Sequence, residues 1–284
     1  MPVVNRLSSD PESPFGSADA GFDAHARVYE QQWERDSVAR YMRSAVRRLI
    51  ESHLVSGAHV LDVGCGPGFD AVWLRETGHR VLAMDASPGM VQEARRRVPG
   101  LDARVLRAED VIAVAGEGPF DLALLNFGVG NCVDLPVVSA GLARCVRPGG
   151  VVVLVLMPRV HPTWMLRELV RLRPGGALRR LRRRTSLPVS GAPVSFRYFG
   201  GATVERTFDA EFRVIDRLSL GLLLPPPGGH ATASLVRALG RVESPLRRLP
   251  LLRSLGDHVV VVLERRPIDG AGRGSASGAG YRQS

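Results

Sequence analysis

The apolar positions of this chain change their period along its length. Between Phe22 and Leu54 there is neither Pro nor Gly, and Val38, Met42, Ala45, Val46, Leu49 and Ile50 recur at the spacing of a helix with one apolar face. Short, nearly continuous apolar runs then take over. His59 to Val63, Arg80 to Met84, Ala103 to Leu106, Phe120 to Leu125 and Gly150 to Met157 read as strands. Phe69 to Thr77, Pro88 to Arg97 and Leu135 to Cys145 read as helices between them, the last stopped by Arg147-Pro148-Gly149-Gly150. Strand and helix taking turns in this way predict βαβ units and a parallel sheet with helices on both faces.

After Met157 the rhythm breaks. Arg167 to Arg184 is a basic, helix-like stretch interrupted by Pro174-Gly175-Gly176, and Val194 to Phe199 with Ala202 to Thr207 predict a hairpin around Gly200-Gly201. Residues 158–210 are therefore expected to form an insertion. A strand from Phe212 to Leu224, a corner at Pro225 to Pro227, helices from Ala231 and a last strand from Asp257 to Glu264 follow. The two ends, residues 1–20 and 269–284, are rich in Ser, Gly, Pro or Asp and hold too little apolar area to offset chain entropy, so both are expected to be disordered tails. No internal repeat is present.

Composition narrows the picture. With 284 residues, 45% of them hydrophobic, the chain can bury the core of one large α/β domain. The formal net charge is +10 and all 38 basic residues are Arg, a balance that draws a protein toward phosphates, acidic carriers or anionic membrane surfaces but does not specify chemistry. Cys65, Cys132 and Cys145 are too few and too scattered for a disulfide framework, and no C-x-x-C pair suggests zinc; no metal site is expected. The N-terminal residues lack an apolar core of signal length and the longest apolar runs are too short to cross a bilayer, so a soluble, cytoplasmic protein is expected.

The stretch VLDVGCGPGFD, Val60 to Asp70, joins the first strand to a helix through Gly64, Gly66 and Gly68. A loop there faces a ligand beyond the carboxyl ends of the strands. A dinucleotide fingerprint needs G-x-G-x-x-G, which would place the third glycine at position 69, where Phe69 stands. The pattern is instead G-x-G-x-G, preceded by Asp62.

D-V-G-C-G-P-G-F followed by Asp85 resembles motif I and the acidic second motif of class I S-adenosylmethionine (SAM) methyltransferases. Ala108-Glu109-Asp110, PFDLALLNFG and LARCVRPGGVVVLV resemble the family's next three segments, so the likeness runs from Ala58 to Met157. It implies a Rossmann-like, doubly wound, mostly parallel seven-stranded sheet, SAM as cofactor, an N-terminal helical lid (21–56), a SAM-binding half (57–157), an inserted helix and hairpin segment after the fifth strand (158–210) and closing strands and helices (211–268). Asp85 then takes the ribose hydroxyls, a task for a carboxylate because two donors must be accepted at once. Glu109 or Asp110, with Asp110 preferred, accepts from the adenine amino group. Asp62, Gly64, Cys65, Gly66, Gly68, Ala86, Met90 and Asn126 complete the implied cofactor contacts. Each piece also has a plainer reading: Asp85 could cap the helix after Ser87, and the glycines could form a tight turn.

The acceptor side is less legible. In FDAHARVYEQQWERD, Tyr29 matches a lid tyrosine that lies near the sulfonium in the family, with His25 one turn earlier; it could equally anchor the helix. Asn126 and Asn131 in NFGVGN would orient donor or substrate, or serve as turn residues. His161 is placed by chain order at the rim of the pocket as a candidate base, with a structural role as its alternative. Trp164 would pack over an apolar substrate or over the insertion's own core, and Tyr198 is a further candidate for the substrate side. The run Arg167 to Arg184 holds eight arginines against Glu168 alone, a solvated face or a docking face for a carrier, a phospholipid or RNA.

The expected activity is methyl transfer from SAM to a small or lipid-like molecule. NFGVGN lacks the N-P-P-[YFW] signature of amino-directed DNA methylation, and the apolar second half suits a pocket better than a polynucleotide groove, so DNA is excluded and RNA disfavoured. An RNA methyltransferase using the arginine run, and a non-catalytic member that binds SAM or a partner, are the competing readings. The sequence leaves the oligomeric state open.

Overall fold

The computed structural model describes residues 22–23, 35–189, 192–228 and 231–267. The tails at 1–20 and 269–284, and the lid candidates His25 and Tyr29, lie outside the described residues. Strands β1 (His59–Val63), β2 (Arg80–Asp85), β3 (Asp102–Val105), β4 (Phe120–Leu125), β5 (Val146–Leu156), β8 (Phe212–Leu220) and β9 (His258–Arg265) form one sheet in the order β3-β2-β1-β4-β5-β9-β8. The pairs β3/β2, β2/β1, β1/β4 and β4/β5 are parallel, while β9 runs antiparallel to both β5 and β8. Chain order reverses at β1, between β2 and β4, and that reversal opens a crevice at the carboxyl ends of the strands.

Helices cover both faces. On one lie α1 (Ser37–Glu51), α2 (Phe69–Glu76), α3 (Pro88–Arg97) and α7 (Ala233–Leu246), meeting the sheet through Val46, Ile50, Leu74, Val91 and Val236. Helix α1 forms where its period says it should: Val38, Met42, Ala45, Val46, Leu49 and Ile50 are all buried, and the Asp36 carboxylate caps it by accepting from the backbone of Val38 and Ala39 at 2.8 Å each. Helix α7 crosses α1 closely because Gly240 has no side chain; an added Cβ would lie 2.4 Å from the Tyr41 ring. From α7, the buried Glu243 carboxylate accepts the backbone N–H groups of Gly221 and Leu223 at 2.9 Å, which fixes the segment leading into the triple proline. The other face is covered by a 3₁₀ segment (Ala108–Glu117), α4 (Leu135–Cys145) and α6 (Gly201–Phe208), with Phe120, Leu125, Phe208 and Phe212 at their core.

Between β5 and α6 the chain adds α5 (Pro162–Val170), a turn at Pro174–Ala177, a 3₁₀ turn at Arg179–Arg182, and a separate two-stranded sheet of β6 (Arg184–Val189) and β7 (Ala192–Arg197). Here the structure corrects the expected hairpin. The second half of that hairpin is helix α6, whose Val204 and Phe208 are buried against α4 and β8. The strand that pairs with β7 comes before it, from Arg184 opposite Arg197 to Val189 opposite Ala192. Gly200-Gly201 starts a helix rather than a reversal, with Gly200 extended at φ −88°. Pro188 hid the true partner, since a proline usually argues against a strand except at an unpaired edge such as this.

Candidate functional site

The crevice holds a cavity of about 420 Å³. Its floor is the turn from β1 into α2. The backbone N–H groups of Gly64 and Cys65 both donate to the Met84 carbonyl, at 2.7 and 3.0 Å, which latches the turn to the end of β2. Asp85 closes the latch: one carboxylate oxygen accepts from the Gly66 N–H and the other from the Ser87 N–H, each at 2.9 Å. Asp85 also lines the cavity.

The three glycines of the turn do different work. At Gly64 an added Cβ would lie 2.4 Å from Val129, and at Gly68 it would meet Ala94 of α3 at 3.1 Å, so both permit packing. At Gly66, with φ +53°, nothing lies within 4 Å. The absent side chain there leaves open cavity, a cradle that a Cβ would fill. Asp62 lies beside it, 2% exposed, with its Oδ2 lacking any hydrogen-bond partner. Burial, then Asp70 and Asp85, push the Asp62 carboxyl well above the ordinary range. An unpaired buried oxygen of this kind asks for a donor from a ligand. Together with Asp85, it fits a ligand rich in hydroxyl and amino donors.

Asp70, absent from the sequence-based candidates, organises the first turn of α2. It accepts from Arg47 at 3.0 Å and from the Asn126 amide at 2.7 Å. Asn126 lines the cavity at the end of β4, followed by Phe127 at φ +39°, a left-handed conformation that costs a non-glycine residue energy. The Arg43 guanidinium stacks on Phe69 at 4.4 Å and reaches Phe127 at 5.7 Å.

Cys65, Ala86, Met90 and Glu109 also line the cavity. Asp110, the preferred adenine partner, does not: it is exposed, and Glu109 faces inward in its place. The 3₁₀ geometry of this segment turns consecutive side chains apart, and it also engages Glu109 with the Asp134 N–H at 3.0 Å.

The substrate-side candidates divide. Trp164 lines the cavity, its ring flanked by Arg167 and Arg179 at 5.4 and 5.5 Å. Asn131 does not reach the cavity. It is fully buried, its amide accepting from the Met157 N–H at 2.8 Å and donating to the carbonyls of Met157 and Arg197, so it braces β5 against β7 with no atom left for substrate. Tyr198 is buried beneath Arg180 and likewise lies outside the cavity lining. His161 also sits behind the wall: it is 1% exposed, Nε2 lies 3.0 Å from the Thr163 hydroxyl, and burial lowers its pKa to about 4. The residue before a proline is held extended, and here that turns His161 inward toward Asp257.

The histidine that does line the cavity is His258, the first residue of β9. Its Nδ1 is 3.1 Å from Asp257 Oδ2, and its ring meets Phe127 edge-on at 5.4 Å. Arg180 donates to the other Asp257 oxygen at 2.7 Å, and His161 approaches that oxygen at 3.5 Å. Burial works against the Asp257 charge, but His258, Arg180 and His161 outweigh it and hold the carboxyl well below the usual range. Sequence offered one signal for this group, two adjacent polar residues opening a strand that is otherwise Val and Leu. The remaining wall is apolar, from Phe127, Leu187, Phe196, Pro226 and Pro227. Burial pushes the Cys132 thiol up to about 12, so it stays protonated.

Comparisons with known proteins bear on this geometry. A family model described as a methyltransferase domain matches residues 61–154. The chain is 33% identical over 170 residues to malonyl-[acyl-carrier protein] O-methyltransferase of Pseudescherichia vulneris, covering 58% of this chain and 61% of that one. It is 32% identical over 165 residues to demethylmenaquinone methyltransferase of Mycolicibacterium paratuberculosis, covering 53% and 67%. This chain thus spans about three fifths to two thirds of the length of these curated relatives. Among solved structures, 1,6-didemethyltoxoflavin-N1-methyltransferase of Burkholderia thailandensis, with S-adenosylhomocysteine bound, superposes with a TM-score of 0.54 at 17% identity, covering 94% of this chain and 95% of that one. That likeness shows the fold.

Proposed function

This chain belongs to the class I SAM-dependent methyltransferases, and on that premise we propose that it transfers a methyl group from SAM to a small or lipid-like acceptor. One observation carries the reading: the polar cradle around Asp62, Gly66 and Asp85 and the apolar wall of Phe127, Leu187, Phe196, Pro226 and Pro227 line one continuous cavity. When bound, SAM supplies an electrophilic methyl on a sulfonium with a neutral thioether leaving group.

The chain's own part is alignment and exclusion of water. Asp85, which lines the cavity, would take the ribose hydroxyls, and Asp62 would take the amino group with the oxygen that has no hydrogen-bond partner. Trp164 and the proline corner enclose the acceptor. For an O–H or N–H acceptor a proton must leave as the new bond forms. We assign that role to His258, which lines the cavity with Asp257 Oδ2 3.1 Å from its Nδ1. Arg180 keeps Asp257 ionised for this purpose. His161 supports the same carboxylate from behind and takes no part in chemistry.

The test is incubation of the protein with methyl-labelled SAM and cell extract separated into lipid, polar-metabolite, RNA and protein fractions. Label in the lipid or metabolite fraction is the expected result. Label in RNA would overturn the acceptor class and return the arginine run to nucleic-acid binding.

A further inference from the structure

Helix α5 and the turn after it present a surface that the cavity does not use. Leu166, Leu169 and Val170 fall at i, i+3 and i+4 on one helix face, and they are 64%, 50% and 75% exposed. Leu172 follows at 88%, turned outward by a backbone in the left-handed region at φ +56°. Arg171 and Arg173 flank Leu172 in the chain, and Arg182 to Arg184 follow one turn later. Arg171, Arg173, Arg182, Arg183 and Arg184 are all exposed, and among the described residues none of them is paired with a carboxylate. The one acid of the segment, Glu168, is buried and points away from the surface.

We propose that this face docks on an anionic lipid surface, with Leu166, Leu169, Val170 and Leu172 entering the acyl boundary and the arginines meeting the headgroups. A short amphipathic helix with projecting apolar side chains and a basic rim matches that boundary. These side chains stand out from the surface instead of lining a groove. A fluid lipid layer closes around such knobs without shape complementarity, whereas a folded acidic partner would need a matching concavity for each.

The position of the face gives the docking a purpose, which rests on the lipid-like acceptor proposed above. A second, open groove runs beside α5, lined by Arg167, Arg171, Leu223, Leu224 and Leu235. It shares Trp164, Pro226 and Pro227 with the cavity that holds the donor cradle. An apolar acceptor leaving the lipid beside α5 would thus enter a groove that adjoins the site, with Trp164 at the junction.

The experiment is co-sedimentation of the full chain with vesicles of phosphatidylcholine alone or mixed with phosphatidylglycerol. Binding is expected to the mixed vesicles only. The triple variant Leu169→Glu, Val170→Glu, Leu172→Glu alters exposed positions and should fold, and its binding should fall about tenfold or more by losing insertion and adding repulsion. Arg171→Gln with Arg173→Gln should weaken binding clearly more than the charge-matched pair of exposed residues Arg144→Gln with Arg206→Gln on α4 and α6. Equal loss from both arginine pairs, with the glutamate variant losing no more than its three added charges account for, would mean bulk attraction of a basic protein and would overturn the docking face. Saturable binding of a purified acidic acyl carrier protein, with none to mixed vesicles, would also overturn it and assign the face to a carrier. Calorimetry with SAM on the same samples separates the two readings: a chain that binds vesicles but not SAM refutes the donor site and leaves the docking face standing.

Discussion

Gly66 and Gly64 lie two residues apart in one turn, both at positive φ, yet alanine at each should fail for different reasons. At Gly66 an added methyl meets nothing within 4 Å, so the protein without donor bears only the conformational cost of a left-handed alanine. That cost is about 1 to 2 kcal/mol, partly offset by about 0.4 to 1 kcal/mol from a stiffer unfolded chain. A net loss near 1 kcal/mol should lower Tm by roughly 2 to 4 °C in a chain of this size. At Gly64 the same cost is joined by overlap with both Val129 methyls at 2.4 and 2.7 Å, and overpacking of this kind adds about 1 to 3 kcal/mol. Donor binding should rank the other way. The Gly66 methyl occupies the cradle, so Gly66→Ala should lose calorimetric SAM binding together with the thermal stabilisation of about 2.7 kcal/mol that donor at a hundredfold excess over Kd confers. Scanning fluorimetry with and without SAM reads both quantities. A Gly66→Ala protein that binds SAM within twofold of the parent refutes the cradle, and one less stable than Gly64→Ala refutes the packing account.

Other outcomes follow from the same geometry. Asp85→Ala should weaken SAM binding by about 1.5 to 3 kcal/mol in calorimetry, the range for hydrogen bonds to a charged group; an unchanged Kd would remove Asp85 from the donor site. His258→Gln should cut labelled-methyl transfer about 100-fold or more at neutral pH while leaving SAM affinity intact, and a rate within twofold of the parent would deny it the role of base. His161 is held neutral, its pKa lowered to about 4 from 6.5, so its contribution to stability is present above pH 6.5 and lost as pH falls through 4. That contribution is on the order of 3 kcal/mol, and the Tm of His161→Gln should therefore vary less with pH over this window than that of the parent. Asp257, with its depressed pKa, should add acid sensitivity only below the ordinary carboxylate range.

How much of this was legible in advance depends on how local its cause is. Helix α1 could be read residue by residue because one repeat decides both its conformation and its buried face, and the alternation from β1 to β5 could be read because parallel strands buried on both faces are apolar throughout. The glycine turn was legible for a similar reason: its shape requires positive φ at Gly64, Gly66 and Gly68, and the spacing of those requirements is written in the chain. The inserted segment offered no such rule. Pro188 broke the apparent strand, Gly200-Gly201 imitated a turn, and both signals yielded to the burial of Val204 and Phe208 against α4.

Side-chain roles at the acceptor end were hidden by a different cause, since they arise between residues far apart in the chain. An asparagine in NFGVGN can serve a site or a brace, and only the arrival of β7 beside β5 shows that Asn131 spends its whole amide on backbone. The two histidines make the same point in opposite directions. His161 follows the fifth strand, where a base would be sought, but the extended backbone before Pro162 turns it into the core. His258 opens the last strand, antiparallel to β5, and that reversal of direction brings the start of β9 to the carboxyl end of β5, where the cavity lies. A parallel last strand would have placed the same residue at the opposite end of the sheet. The geometry that gives this cavity a histidine is therefore the one antiparallel insertion in an otherwise parallel order, a property of strand direction that no residue near His258 encodes.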